Sequence, residues 1–248
     1  MKPASLLFKC RIWLAALLLA APVFNAHAFF VLEFDFNEKW LREDAYNRAM
    51  NLARKNLNPV SKEDEENQPD VETDILYTGS LVRVKDDFLS DSESLEQLAR
   101  LFPREKRAEA RRMFVQIIDQ FNQSVERLYK IPNENVATGL IALLGGAYAA
   151  YHGQSLPDHL VKPAFLQVAA FLRKKPELFE GKTTQKMNSY QMSVGLGMLL
   201  MLLREELKKN PNPEQDKELK TIGATIFKSV LGVAPEQVSF TASGLVFK

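Results

Sequence analysis

A run of sixteen residues without a charged side chain, from Val136 to Tyr151, restricts the folds open to this 248-residue chain. A helix that is apolar on every side must be enclosed by other elements. Asn133 or Asn135 can cap its start and Gly153 its end. We therefore expect the central helix of a bundle, because a membrane span, the alternative, needs roughly 20 residues. Small residues at helical spacing would let a neighbouring backbone approach closely: Gly139, Ala142, Gly146, Ala149 and Ala150.

Other stretches carry helical periodicity with start and stop signals on both sides of this run. The tail from Val238 to Phe247 has apolar residues on either side of Ser243-Gly244, which predicts a small hairpin or an extended strap. The fold class is therefore all-α, a compact bundle of about five to six helices with a short extended or hairpin C-terminal tail. The predicted helices are Ser90 to Leu101, Pro103 to about Lys130, Ser155 to about Lys174 with a break or kink at Pro163, Thr183 or Thr184 to about Lys209, and Pro213 to Gly232.

The N-terminus has the pattern of a secretory signal peptide over residues 1–28. Basic residues precede an apolar stretch from Ile12 to Val23, and Ala26-His27-Ala28 offers a cleavage site. A lipid anchor on Cys10 is disfavoured by the adjacent Lys9 and by the apolar run that follows. We expect a periplasmic or secreted protein after cleavage near Ala28, with no cysteine left in the mature chain.

Two segments separate the signal from the bundle, which we place at residues 76–248. Residues 29–57 form a Phe-rich arm plus short helix, since apolar side chains alternate with Val31, Glu33 and Asp35 before a helical pattern begins at Asn37. Residues 58–75 are acidic and almost without apolar side chains, which predicts a flexible linker. They lack the spaced ligands of an EF-hand. The candidate partner-binding residues of the arm are Phe30, Leu32, Phe34 and Phe36.

The sequence contains none of the common catalytic motifs and predicts no catalytic residues, no metal and no cofactor. It has no G-x-S-x-G, Walker A, H-E-x-x-H or G-x-G-x-x-G pattern. His152, Asp158 and His159 could hold a metal in principle, but packing at the helix ends is the favoured interpretation. The near balance of 32 basic and 31 acidic residues excludes a basic footprint for nucleic acid.

A weak ligand-binding hypothesis places six side chains in one cleft between the third, fourth and fifth helices. Tyrosine and lysine can serve as acid and base when burial shifts their pKa. Ordinary packing of these side chains at helix ends is the favoured alternative. A basic cluster after Pro103 is interpreted as a solvated face, with contact to an anionic surface as its alternative. The cleft residues are Tyr148, Tyr151, His152, Lys162, Lys186 and Tyr190, and the basic cluster is Arg104, Lys106, Arg107, Arg111 and Arg112.

Several short motifs resemble an uncharacterised family of exported bacterial all-helical proteins, a domain of unknown function. The resemblance covers roughly Leu76 to Phe247, and residues 29–75 look unlike the family. It implies a helical secreted or periplasmic fold and carries no catalytic residue. The motifs are Val136-Ala137-Thr138, Tyr148-Ala149-Ala150-Tyr151, Lys162-Pro163, Lys186-Met187, Tyr190-Gln191, Gly197-Met198, Leu231-Gly232-Val233 and Thr241-Ala242-Ser243-Gly244-Leu245-Val246.

The function predicted from these features is a non-enzymatic binding or interaction module of the cell envelope, whose partner is an envelope protein. The alternative is a small-ligand carrier or an enzyme that uses the Tyr/His/Lys cleft. The second alternative is a membrane-associated helical protein, which is not favoured.

Overall fold

The computed structural model describes residues 92–174 and 183–248. This part of the chain contains six α-helices and one antiparallel hairpin, which confirms the predicted helical bundle with a hairpin tail. The elements are α1 (Glu93–Ala99), α2 (Arg107–Tyr129), α3 (Val136–His152), α4 (Val161–Arg173), α5 (Thr183–Lys209), α6 (Pro213–Leu231), β1 (Val238–Thr241) and β2 (Gly244–Phe247), with short 3-10 turns at Arg104–Lys106, Asp158–Leu160 and Pro235–Gln237.

Helix α3 lies at the centre of the bundle, as its uncharged sequence predicts. The Asn135 side chain accepts hydrogen bonds from the amides of Ala137 and Thr138, and Gly153 ends the helix in the left-handed conformation. Most of its residues are buried. The core around it draws its largest fully buried side chains from all five other helices as well, among them Leu98, Phe114, Phe165, Leu196 and Phe227.

Glycines allow the backbones of α3 and α5 to touch. A Cβ atom at Gly146 would lie 2.6 Å from the Cα of Gly197, and one at Gly197 would lie 2.9 Å from the amide nitrogen of Leu143. Gly139 packs on Tyr190 at the start of the same contact, so α3 and α5 run parallel. The predicted seam therefore exists, and α5 supplies its own glycine to it.

Three helix starts differ from the predicted ones, including that of α4, which begins at Val161 and not at Ser155. Ser92, not Ser90, caps α1, because its hydroxyl accepts the amide of Leu95 and also bonds Ser94. Pro103 opens a 3-10 turn, and regular α2 begins only at Arg107. Pro163 lies in the first turn of α4, where its missing amide costs no helical hydrogen bond, and a 3-10 turn before Val161 replaces the expected kink. Thr183, Pro213 and Gly232 mark helix ends as predicted.

The C-terminal hairpin packs on α3 and α4, so it is both a hairpin and a strap. The Gln167 side chain on α4 accepts from the amide of Leu245 at 2.5 Å and donates to its carbonyl at 3.0 Å. Phe240 on β1 packs edge-on against Tyr148 of α3, with ring centroids 5.5 Å apart. These contacts fix the hairpin at the end of α3.

The predicted signal peptide at 1–28, the arm at 29–57, the linker at 58–75 and the first residues of the bundle domain all lie outside the described residues, as do residues 175–182. Among the helices that are described, none is long and apolar enough to cross a membrane.

Candidate functional site

The six predicted cleft residues fall into separate groups. Tyr190 packs against Gly139 near the start of α3, whereas Tyr148 lies nine residues further along that helix. At 1.5 Å per residue, this separation is roughly 13 Å along the helix axis. Lys186 lies one turn before Tyr190 on α5, and Lys162 lies in the first turn of α4; both are half-buried. The predicted cleft is therefore not one concave site.

Three of the six residues do come together at the C-terminal end of α3. The His152 ring lies 4.4 Å from Tyr148 and 5.1 Å from Tyr151, measured between ring centroids. The Tyr151 hydroxyl donates a hydrogen bond to Glu236, in the turn before β1. Partial burial lowers the pKa of His152. We call Tyr148, Tyr151, His152 and Phe240 the aromatic cluster. The lowered pKa favours a neutral His152 imidazole, whereas the C-terminal end of a helix favours a cation.

Tyr190 is a core residue. Only 2% of it is exposed, and its hydroxyl donates a 2.5 Å hydrogen bond to Oδ1 of Asn122 on α2. The Asn122 amide donates in turn to Glu134 at 3.4 Å. The phenol is therefore committed to a structural hydrogen bond between α2 and α5, and an acid or base role would require breaking it.

Sequence patterns did not reveal the pairing of Tyr129 with Asp158. Burial of the phenol, together with the charge of Asp158 and a hydrogen bond to it, raises the pKa of Tyr129 to about 12. Asp158 was a candidate metal ligand with His152 and His159, but its carboxylate faces a phenol. Within residues 92–174 and 183–248, no group of three histidine or acidic side chains is arranged to hold a metal ion.

The basic cluster is partly neutralised by its neighbours. Arg111 forms a 3.0 Å ion pair with Glu96, and Lys106 lies 3.5 Å from Glu109. Arg107 donates to the carbonyl of Phe102, at 3.3 Å. These contacts support the solvated-face interpretation.

Arg204 on α5 is a buried charge that sequence reasoning missed. Only 5% of it is exposed, and its guanidinium donates to the carbonyls of Ala149 and Ala150 and to the carboxylate of Asp216. It thereby joins α3, α5 and α6. Hydrogen bonds from Lys220 and then Arg204 lower the pKa of Asp216. The sequence did contain one sign of this buried charge, because Arg204 occupies a position that continues the apolar stripe at the end of α5.

A polar cleft of about 640 Å³ lies where α2 ends and the chain turns towards α3. Buried Ile131 and Pro132 contribute to it, and Asn133 donates from its side chain to the carbonyl of Asn122 at 3.3 Å. Lys130 and Glu134 have φ angles of 57° and 45°, in the left-handed region that non-glycine residues rarely adopt. The cleft is lined by Asn122, Gln123, Glu126, Arg127, Lys130, Ile131, Pro132 and Asn133.

Comparison with known proteins identifies a family and no individual relative. No curated protein and no solved structure matches the chain. The family match covers residues 11–248, so it begins well before Leu76. The interpretation of residues 29–75 as unlike the family was therefore wrong, because they lie within the matched range. The family is described only as being of unknown function, and this chain belongs to it: the family DUF6683.

Proposed function

We propose that this protein is an exported, non-enzymatic binding module of the cell envelope, and that the polar cleft at the α2–α3 turn contacts its partner. The cleft carries the proposal because it combines a ligand-sized recess with hydrogen-bonding groups on a fixed backbone. Lys130, which lines the cleft, has a left-handed backbone and supports this, as does Glu134 just beyond the lining, since such conformations persist where the surrounding structure holds them and concentrate at functional sites.

The lining favours a polar partner surface over an apolar metabolite. Small-molecule pockets of roughly 300–1,000 Å³ are lined mainly by apolar side chains. Here the walls are amides and charges of both signs, from Gln123, Glu126, Arg127, Lys130 and Asn133. Such a surface provides donors and acceptors for a protein partner in the envelope, beside the apolar lining from Ile131 and Pro132.

The internal polar groups support a binding role over catalysis. Arg204, Tyr190 and Gln191 are each at least nine-tenths buried and engaged with neighbouring helices. Burial and Asp158 raise the pKa of Tyr129 to about 12, which disfavours proton release. A pKa matched to acid–base work near neutral pH would shift the other way.

A photo-cross-linking experiment in cells tests the partner contact. A photoreactive residue is placed at Gln123 or Glu126, and at Gln116 as a control exposed on the same helix. We expect one shared adduct from both cleft positions, absent at Gln116, and weakened by Arg127→Glu but not by Arg112→Glu. Equal adducts at all three positions would reject the cleft as the contact.

Export is tested separately, by fractionating cells and sequencing the N-terminus of the recovered protein. We expect the mature chain to begin near residue 29, outside the cytoplasm. An intact N-terminus in the cytoplasmic fraction would refute the export proposal and leave the cleft experiment valid.

The aromatic cluster supports a second candidate, a small-ligand carrier or enzyme. Tyr148, Tyr151 and His152 remain in contact, so half of the predicted cleft survives at one end of α3. A ligand that binds there should shift the His152 imidazole resonances in an NMR titration, and His152→Ala should abolish that binding. Binding that is unaffected by this substitution would exclude the cluster.

A further inference from the structure

We propose that the outer edge of β1 seats a third strand, and that its occupant is the Phe-rich segment of this same chain, residues 30–36. The strand would extend the two-stranded sheet on the side away from α4. The Phe-rich segment would then belong to the fold of its own chain, and would not be the partner-binding arm considered from the sequence.

The hydrogen-bond pattern fixes which way the edge of β1 faces. In an antiparallel pair, directly opposed residues point their backbone groups either both inwards or both outwards. Leu245 directs its amide and carbonyl to Gln167, outside the hairpin. Phe240 is its direct partner, so the amide and carbonyl of Phe240 point out of the opposite side. Within the described residues, no backbone group pairs with them.

The two edges of the hairpin differ in whether other groups of the protein cover their backbone. The edge of β2 is covered, because the Gln167 amide reproduces the pairing of a neighbouring strand. The edge of β1, Val238–Thr241, contains neither lysine nor proline, the residues that commonly protect a strand edge from pairing. A two-stranded sheet is marginal in water by itself; packing on a helix stabilises it, as α4 does here, and so does a third strand. The β1 edge therefore has the properties of an acceptor.

The face pattern of the Phe-rich segment matches that of β1. Val238 and Phe240 share a face with their cross-strand partners on β2, and this face packs on the bundle. Ser239 lies on the outer face, opposite Val246, which is 43% exposed. A third strand continuing this sheet needs alternating apolar and outward-facing residues. The segment has them, with Phe30, Leu32, Phe34 and Phe36 on one side and Val31, Glu33 and Asp35 on the other.

Chain length permits the segment to reach this edge. Residues 37–91 connect it to the first described residue, Ser92. At roughly 3.3 Å per extended residue, such a connection exceeds 100 Å, far more than the diameter of a domain this size requires. Both the segment and the hairpin also lie within the range of the family match.

Disulfide scanning in the full chain tests the pairing. Ser239→Cys is combined in turn with Val31→Cys, Glu33→Cys or Asp35→Cys, in a Cys10→Ser background. Residues that face each other across neighbouring antiparallel strands have Cα atoms roughly 4.5–5.5 Å apart, which is within the range that a disulfide spans. We expect loss of both free thiols in one of the three pairs. Leu32→Cys with Ser239→Cys, on opposite faces, and Glu33→Cys with Gln116→Cys are controls that should keep theirs.

Each outcome of the scan decides the proposal. Retention of thiols in all three pairs, or equal loss in the controls, would overturn it. Mixing isotope-labelled and unlabelled protein distinguishes the occupant: cross-linked peptides that combine one labelled and one unlabelled half would assign the strand to a second copy, and would overturn the intrachain assignment.

Amide exchange gives a measurement that needs no cross-link. We expect the Phe240 amide to be protected in the wild type, and to exchange about tenfold faster or more in Phe34→Asp. Glu33→Asp is the matched control on the polar face, and should leave the rate unchanged. Central α3 amides should be unaffected in both variants, which shows that the bundle remains folded. An unprotected Phe240 amide in the wild type would contradict the proposal.

Discussion

Arg204 is a charged side chain buried beside the C-terminal end of α3, where partners from two other helices hold it. Its guanidinium donates hydrogen bonds to two carbonyls in the last turn of α3 and to the carboxylate of Asp216 on α6. Buried arginine suits this geometry, since a planar guanidinium presents several donors at once. The same contacts make the residue sensitive to substitution, because its removal leaves the buried carbonyls of Ala149 and Ala150 without this donor and leaves Asp216 with Lys220 alone.

Replacement of Arg204 should therefore destabilise the protein strongly. We expect Arg204→Met to lower the free energy of unfolding by about 3 kcal/mol. Lys220→Met removes the other cation beside Asp216, which is an exposed pair, and should cost about 1 kcal/mol or less. Urea denaturation of the two variants measures both values. Equal losses would mean that the buried Arg204 guanidinium contributes no more to the free energy of unfolding than a surface charge does.

The Tyr129–Asp158 pair predicts alkaline sensitivity. A phenol whose pKa is raised to about 12 in the folded protein stabilises the fold fully below its unfolded pKa of about 10. That contribution is lost as the pH rises from about 10 to 12. Unfolding experiments across this range should show a decline in stability that is smaller in Tyr129→Phe. An identical decline in both proteins would contradict the assignment.

At the scale of elements, the contact between α3 and α5 depends on the absence of side chains. Gly197→Ala would place a methyl group against the α3 backbone, which cannot yield as a side chain can. We expect a loss of about 3 kcal/mol or more, measured by thermal or urea unfolding. Gly145→Ala is the matched control: its Cβ would meet only the flexible end of Met201, at 3.1 Å, and alanine favours helix by about 1 kcal/mol. A tolerated Gly197→Ala would show that the helices can separate.

Helix boundaries were predictable where the signal is local. Asn135, Gly153 and Gly232 cap or end helices through their own side chain or backbone preference. Ser90 was predicted to start α1 because Glu93 follows it at the spacing of a capping box, whereas the cap is Ser92. The choice is made by a contact distant in sequence, since Ser94 beside Ser92 donates to Gln191 on α5.

The candidate site was less predictable because it depends on how helices align. Nothing in the sequence sets the position of α5 along α3, so Tyr190 was grouped with Tyr148 although they lie at different levels. The polar cleft was missed for a related reason. Its shape comes from the backbone of a turn, in which Lys130 and Glu134 adopt positive φ angles without the glycine that usually marks them.

At the scale of the whole molecule, the described helices and hairpin pack on one another and form one core. We therefore expect a chain lacking residues 29–74 to keep its helical circular dichroism and a cooperative urea transition. If the Phe-rich segment pairs with β1, the hairpin amides should exchange faster in this variant while the helices stay protected. A non-cooperative transition would show that the bundle needs the deleted residues.

The side-chain-free contact between Gly146 and Gly197 also determines how genetic data on this protein should be interpreted. No space for a bound molecule is left where these two glycines meet, so substitutions at either of them act through the amount of folded protein in the cell. A loss-of-function allele at either glycine should lower abundance on an immunoblot. An allele at Arg127, on the surface, should reduce function at normal abundance, and a screen that records both quantities would separate structural from recognition positions.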